Sequence, residues 1–205
     1  PEIKCVEVDV DTYYARFEVQ PLERGFGITL GNSLRRILLS SLPGYAINTI
    51  KIDGITHEFS TIPGVTEDVT DIILNLKQVC LKSDDTEKKE LSIKAVGPCE
   101  LKAGDIITDS TISVVNKDLH IAYLDEGATL NMELTAVKGR GYIPAEKFKE
   151  EISVKNVLPI DAIFTPVKKV NFEVGKTRVG GQADFDSLVM EIWTNGVIEP
   201  YQALS

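Results

Sequence analysis

Residues 21–44 read PLERGFGITLGNSLRRILLSSLPG, and this stretch decides the fold. Proline and glycine are frequent over residues 21–27, which is typical of a loop. Thr29 then stands where an N-cap is expected, and apolar residues recur at helical spacing up to the Pro43-Gly44 pair. The pattern predicts a helix over residues 29–42.

The two sides of this predicted helix differ in character. Four apolar side chains fall within one arc of about 100°: Leu30, Leu34, Ile37 and Leu38. Leu39 falls nearly opposite Leu30, between Arg35 and Arg36. Spacing alone leaves open whether Leu39 is a single exposed leucine, which is common in soluble proteins, or belongs to a second contact face.

The segments on either side of the helix are strand-like. Residues 4–10 and 13–19 are rich in Val, Tyr and Phe, and they predict a hairpin. Asp53-Gly54 separates residues 46–52 from residues 55–59, and an Asp-Gly pair between apolar runs predicts a second hairpin.

The rest of the chain reads as a second helix followed by many strands. Thr66 suits an N-cap for a helix in which Val69, Ile72, Ile73 and Leu76 recur at helical spacing. Strand-like runs stand at residues 91–96, 111–115, 119–123, 129–137, 163–164, 167–174 and 187–193. Turns are predicted at residues 138–142, 180–181 and 195–196, and short helical segments at residues 144–150 and from Glu199-Pro200. The order of elements predicts an α+β fold with a predominantly β middle. A helix start without a helix body also leads us to expect part of a longer protein.

Charge is distributed unevenly along the chain. The chain carries 31 acidic against 22 basic residues and a formal net charge of -9, which argues against nucleic acid as the main partner. The 29 residues between Glu23 and Asp53 contain no acid and four bases: Arg24, Arg35, Arg36 and Lys51. This segment therefore suits an anionic partner, either a phosphate or an acidic protein surface.

Several classes of protein are disfavoured. The longest uncharged apolar stretch, residues 37–50, is 14 residues long and is interrupted by Pro43-Gly44, so no membrane span is predicted. Cys5, Cys80 and Cys99 are widely spaced and form no C-x-x-C pair, so we expect neither disulfides nor a zinc site, and a reducing cytoplasm is the expected location. No metal, cofactor or catalytic residue is predicted.

One enzyme-like pattern remains as the alternative. Gly25, Gly27 and Gly31 stand before the helix and imitate a dinucleotide-binding loop, although the third glycine is one residue late for G-x-G-x-x-G. The alternative function is thus a nucleotide-binding enzyme domain. The competing explanation is that these glycines only allow a tight loop to lead into a closely packed helix.

Three further positions carry side chains suited to acid/base chemistry or to binding. His57-Glu58 and His120 have no nucleophile at a usable spacing, so an acid/base site is disfavoured. Arg140 stands between two glycines and can contact either a phosphate or a protein partner.

Residues 21–44 closely resemble the signature of one family, the N-terminal domain of the bacterial-type DNA-directed RNA polymerase alpha subunit. The similarity continues through residues 52–61, 67–69, 73–77, 139–145 and 194–196, so it covers nearly the whole chain. The resemblance implies a non-catalytic transcription scaffold that dimerises with a second alpha copy and docks the beta and beta-prime subunits, without direct nucleic-acid contact from this part. It also implies a discontinuous dimerisation domain, residues 1–52 plus 167–205, around an inserted β-rich domain, residues 53–166.

The resemblance assigns roles to individual residues. The dimer interface is expected to contain Phe26, Leu30, Leu34 and Ile37. Docking of beta and beta-prime is expected to involve Arg24, Thr29, Asn32, Arg35, Arg36, Leu39, His57, Glu58, Phe59, Gly139, Arg140 and Gly141. The family normally continues into a long helix and a C-terminal domain, which are not part of these 205 residues.

Overall fold

The computed structural model of the chain describes residues 1–152 and 154–204, which divide into two compact units. The first unit combines Pro1–Leu42 with the segment from Thr165 onward, and the second is Pro43–Phe164. The described residues form fourteen strands and four α-helices: β1 (Glu2–Asp9), β2 (Tyr14–Leu22), α1 (Phe26–Ser40), β3 (Pro43–Ile52), α2 (Val69–Leu76), β4 (Leu81–Lys82), β5 (Lys89–Val96), β6 (Cys99–Lys102), β7 (Ser113–Val114), β8 (His120–Leu124), β9 (Thr129–Arg140), β10 (Tyr142–Ile143), α3 (Glu146–Lys149), β11 (Leu158–Pro159), β12 (Ala162–Ile163), β13 (Val167–Val179), β14 (Gln182–Thr194) and α4 (Pro200–Leu204). Antiparallel sheet dominates, as expected for the predicted α+β class.

The first unit is a four-stranded antiparallel sheet in the order β1-β2-β14-β13, with α1 packed on β13 and β14. Apolar residues alternate along β2 and β14, and the register places them side by side: Ala15 opposite Ile192, Phe17 opposite Met190, and Val19 opposite Leu188. All six are buried, because the period of two turns them to the same face of the sheet. The predicted hairpin at the N-terminus is confirmed by the pairing of β1 with β2.

Helix α1 begins three residues before the predicted start. Gly25, with φ +90°, precedes its first residue Phe26, and Thr29 lies inside the helix, where its hydroxyl donates to the Gly25 carbonyl. No side chain of the preceding segment caps the helix. The prediction of Thr29 as N-cap was wrong because the acceptor for the first N–H groups comes from a distant strand, as described below.

The second unit is built around a sheet in the order β5-β9-β3-β4-β7, with β11 also pairing with β3. Strand β3 pairs with β9 over its whole length, from Pro43 opposite Arg140 to Ile52 opposite Met132. The boundaries between the two compact units lie at residues 42/43 and 164/165, because β3 and its partner β9 belong to the same sheet. The domain bounds that the resemblance implies, at 52/53 and 166/167, stay a prediction.

Four local predictions in the second unit differ from the structure. Asp53-Gly54 does form a turn, with φ +81° at Gly54, but residues 55–59 form no strand, because β3 pairs with β9 instead of with the segment after the turn. The predicted turn at residues 138–142 is largely the end of β9, which extends through Arg140. The predicted strands at 111–115 and 163–164 are also shorter or shifted in the structure.

Other elements are close to the prediction. Helix α2 spans Val69–Leu76 and buries Val69, Ile72 and Leu76, although its N-cap is Asp68 and not Thr66. The turn at Gly180-Gly181 joins β13 to β14, and both glycines have positive φ. Within the described part of the chain, none of the helices has the length and apolar character needed to cross a membrane.

Candidate protein-docking site

Helix α1 lies unusually close to the sheet beneath it because two glycines face the strands. A Cβ atom at Gly27 would stand 2.6 Å from Val174 Cγ1, and one at Gly31 would stand 2.5 Å from Phe172 Cδ2. Both glycines are buried, and Leu38 continues the same face two turns later. This supports close packing as the reason for these glycines.

The N-terminus of α1 is already bound to an internal anion. One carboxylate oxygen of Asp186, on β14, accepts the N–H groups of Gly25 at 3.0 Å and Gly27 at 3.1 Å, and the other accepts from Lys176 at 2.9 Å. Lys176 and the two N–H groups hold the pKa of Asp186 below its ordinary value. A bound phosphate at this loop would face a buried negative charge, so the nucleotide-binding alternative has no support in the geometry.

One side of α1 carries exposed apolar side chains. Phe26 is 54% exposed and Ile37 is 50% exposed, and both fall within about 40° of Leu30 on the helix. Leu30 and Leu34 are half-buried and pack against apolar clusters of the chain itself. We call Phe26, Leu30 and Ile37 the apolar stripe. Among the described residues, its two outer members, Phe26 and Ile37, belong to none of the buried apolar clusters.

The opposite side of α1 is basic. Arg35 and Arg36 are exposed, and in the part of the chain that the structure describes neither forms a salt bridge. The other expected docking residues of this segment, Arg24, Thr29 and Asn32, are exposed as well. Ile28 is 59% exposed and lies about 20° from Arg35 on the helix, a position that sequence reasoning missed although a helical projection contains it.

The helical projection places Leu39 opposite Leu30 and away from the main apolar arc, but Leu39 is not fully exposed to solvent. It is half-buried and packs against a core cluster that includes Leu38, Met190 and Ala203 of α4. The wheel of α1 alone could not reveal this contact because part of the cluster is contributed by residues at the other end of the chain. Leu39 offers at most part of its surface to a partner.

The second group of expected docking residues lies in the second unit. His57, Glu58 and Phe59 occupy the loop after β3, and all three are exposed, Phe59 by 79%. Nδ1 of His57 lies 3.2 Å from the Phe59 N–H, and the Thr70 hydroxyl donates to the Glu58 carbonyl at 2.9 Å. These bonds tie the loop to itself and to α2, so that Phe59 projects outward.

Phe59 borders a groove of about 340 Å³ between α2 and the segment around α3, which also contains Leu74 and Pro144. Its wall is held by Asp161, which accepts from Lys77 at 2.8 Å and from the Ala145 N–H at 2.7 Å. These two donors hold the pKa of Asp161 below its ordinary value. The groove is therefore lined by both apolar and charged side chains.

Gly139, Arg140 and Gly141 do not line this groove. Gly139 and Arg140 end β9, and a Cβ at Gly139 would stand 2.7 Å from the Phe164 ring. Gly141 has φ +64°, and its carbonyl accepts the Phe164 N–H at 2.7 Å. The two glycines are thus explained by packing against Phe164, whereas Arg140 is exposed at the surface.

His120 is held by two carboxylates. Its Nε2 lies 2.5 Å from Glu67 Oε2, and its Nδ1 lies 3.0 Å from Glu100 Oε2. Burial raises the pKa of Glu67, but the Tyr123 N–H and His120 outweigh it, so that the pKa is lowered. Both ring nitrogens are occupied, and among the described residues no group of three or more His, Cys, Asp or Glu side chains could hold a metal ion.

Comparison with known proteins identifies the chain's relatives. A family model described as the RNA polymerase Rpb3/RpoA insert domain matches residues 50–165. The chain belongs to this family. It is 58% identical over 205 residues to a protein of Desulforudis audaxviator and 57% identical over the same length to one of Desulfitobacterium hafniense, both named DNA-directed RNA polymerase subunit alpha. A protein of the same name from Symbiobacterium thermophilum is 54% identical.

These matches confirm the resemblance to the alpha-subunit family. Each alignment covers 100% of this chain and 65% of the relative, so the chain spans 65% of the length of these curated relatives. The insert-domain match contains residues 57–59 and 139–141, whereas α1 precedes it and is covered only by the alignments to the individual relatives.

Proposed function

We propose that this chain is the N-terminal part of an alpha subunit of DNA-directed RNA polymerase and serves transcription as a non-catalytic assembly scaffold. Two copies associate through α1, and one copy docks the beta subunit while the other docks beta-prime. The relatives carry the name of that subunit. The observation that carries the proposal is α1 itself, which leaves apolar and basic surface exposed on two different sides.

The apolar stripe supports self-association. Phe26 and Ile37 are about half exposed on a helix whose other face is anchored to the sheet by Gly27, Gly31 and Leu38. Removing such apolar surface from water favours association by roughly 25 cal/mol per Å². Phe26 and Ile37 lie on a different side of α1 from the buried Gly27, Gly31 and Leu38, so a second copy is able to cover these two side chains without disturbing the core.

The basic side of α1 supports docking of an acidic protein surface. Arg35 and Arg36 flank the exposed Ile28. This side of the helix thus combines two positive charges with an apolar side chain, a combination that is common in protein interfaces. The chain as a whole is acidic, with a net charge of -9, which favours a protein over nucleic acid as the partner. Arg24, Thr29 and Asn32 extend this side, and residues 57–59 and 139–141 are further proposed contacts in the second unit.

The docking role is tested by co-purification of a beta subunit with the wild-type chain and with Arg36→Ala. We expect the variant to bind at least about tenfold more weakly, which corresponds to about 1.4 kcal/mol. Arg178→Ala is the matched control, because Arg178 is also an exposed arginine of the first unit and its substitution removes the same charge. Equal capture by Arg36→Ala and by the control would remove the role assigned to Arg36.

The dimer is tested by sedimentation equilibrium over a dilution series. Ile37→Asp places a charge in the apolar stripe and should shift the chain toward monomer, whereas Ile107→Asp should not. Ile107 is a fair control because it is 51% exposed, almost the same as Ile37, and lies in the second unit. A wild-type chain that stays monomeric at the highest concentration would contradict the proposed dimer.

A further inference from the structure

Asp186 is a buried charge whose hydrogen-bond partners lie at the start of α1 and on the neighbouring strand β13. The residue is 2% exposed, and its carboxylate bonds to Gly25, Gly27 and Lys176. A buried carboxylate is costly unless its hydrogen bonds are complete, so the position of this side chain is strongly determined by those partners.

The two N–H bonds define how α1 begins. A single oxygen, Oδ2, accepts both Gly25 N and Gly27 N, at 3.0 and 3.1 Å. The two donors are two residues apart at the start of the helix. Their shared acceptor therefore fixes both the distance of the helix start from β14 and the rotation of the helix about its axis. The segment supplies no cap of its own, and the first turn contains no acidic residue.

The rotation of the first turn decides which side chains of α1 face outward. With Gly27 above Val174 and Gly31 above Phe172, the glycine face meets the sheet and the apolar stripe is exposed. A rotation of one residue position, about 100°, would bring side chains larger than glycine against Val174 and Phe172. The orientation of the stripe thus depends on the glycine face and on the cap that starts it.

We propose that Asp186 is the positioning residue for the interface helix: its carboxylate accepts the Gly25 and Gly27 N–H groups and thereby orients the apolar stripe for association with a second copy. This inference rests on the proposed function, because it gives a cause for the orientation of the same surface. Asp186 itself is buried and contacts no partner. Its contribution is transmitted through α1.

The test compares Asp186→Leu with Asp186→Asn in the 205-residue chain. Leucine keeps the branched shape and the number of side-chain heavy atoms without an acceptor, whereas asparagine keeps an oxygen that can accept both N–H groups. We expect Asp186→Leu to weaken self-association at least about tenfold and Asp186→Asn by no more than about threefold, measured by sedimentation equilibrium. Hydrogen exchange of the amides of residues 25–29 should be at least about tenfold faster in Asp186→Leu and close to wild type in Asp186→Asn.

The fold of each variant is checked by fluorescence of Trp193, the single tryptophan, which lies on β14 and contacts Tyr14. If Asp186→Leu does not fold, Asp186→Ser replaces it, since its hydroxyl is too short to reach both amides. Wild-type self-association in the Leu or Ser variant would overturn the proposal, and so would equal weakening in the Leu and Asn variants. A wild-type chain that does not self-associate would instead refute the dimer, and the exchange rates would still decide whether Asp186 holds the start of α1.

Discussion

Helix α2 is capped by a residue of its own segment, whereas α1 is capped by a residue from a strand near the other end of the chain. Asp68 precedes α2 directly and accepts the Asp71 N–H at 2.8 Å. Asp186 stands 159 positions after Gly27, whose N–H it accepts. The difference teaches that α2 can begin from local information, while the start of α1 requires that β14 is already in place.

The two helices also differ in what they bury. Helix α2 buries Val69, Ile72 and Leu76 in the core of the second unit, where each is at most 1% exposed. Helix α1 buries two glycines and Leu38 and leaves Phe26, Ile28 and Ile37 exposed. The apolar residues of α2 therefore stabilise its own unit, whereas much of the apolar surface of α1 remains available to a partner.

The largest expected effect separates these two roles. Ile72→Ala in α2 should reduce the free energy of unfolding by about 2–5 kcal/mol, because it opens a cavity in a fully buried core. Ile37→Ala in α1 should change the stability of the dilute monomer by no more than about 0.5 kcal/mol, because the side chain is half exposed. Urea unfolding followed by circular dichroism measures both. A large loss for Ile37→Ala at low concentration would break the comparison.

A smaller effect is expected where α1 approaches the sheet. Gly31→Ala places a Cβ 2.5 Å from Phe172 Cδ2, so the ring must move. The added clash, of about 1–3 kcal/mol, should exceed the gain of about 1 kcal/mol in helix propensity, and the net change should be destabilising.

Unfolding followed by Trp193 fluorescence reports on this change in the first unit. Gly175→Ala is the control, because nothing lies within 4 Å of a Cβ at that position of β13. A Gly31→Ala variant as stable as this control would show that the close approach of α1 does not constrain the helix.

The smallest effect concerns pH and the cap of α1. Lys176 and the Gly27 and Gly25 N–H groups hold the pKa of Asp186 below its ordinary value of 3.8. A carboxylate with a lowered folded-state pKa stabilises the fold above its unfolded pKa, and this contribution is lost as the pH falls through the folded pKa. The stability of the wild type should therefore decrease more steeply below pH 3.8 than that of Asp186→Asn.

Urea unfolding at about pH 6 and about pH 3 measures this difference. The difference in free energy of unfolding between wild type and Asp186→Asn should narrow at the lower pH, because the Asp186 carboxyl takes up a proton at a higher pH in the unfolded chain than in the folded one. A gap that stays constant would mean that the charge of Asp186 contributes nothing to the first unit.

Particular residues show how far sequence reasoning reached. The spacing of Val69, Ile72 and Leu76 predicted α2. Phe26 and Ile37 are exposed, and their place in a dimer interface stays a prediction from the resemblance. Residues 55–59 were predicted to be a strand because Asp53-Gly54 is a strong local turn signal, but strand pairing is decided by which distant segment fits. Here that segment is β9.

Leu39 and Gly139 show the same limit. The wheel placed Leu39 away from the core, yet it packs against a cluster that contains Ala203, and no pattern within residues 29–42 predicts that neighbour. Gly139 was interpreted as part of a turn, whereas its missing side chain makes room for Phe164. Both errors come from contacts between residues far apart in the chain.

The sequence by itself determined the elements that depend on neighbours in the chain: the apolar periodicity of α2, the alternation along β2 and β14, the turn at residues 180–181 and the absence of acidic residues around α1. Only the tertiary structure decided where α1 begins, that β3 belongs to the second unit, and which side of α1 stays exposed. The physical reason is that helical and strand periodicity act over a few residues. A buried carboxylate, a strand partner and a close helix contact act across space, and their partners stand far apart in the chain, by 159 positions for Asp186 and Gly27.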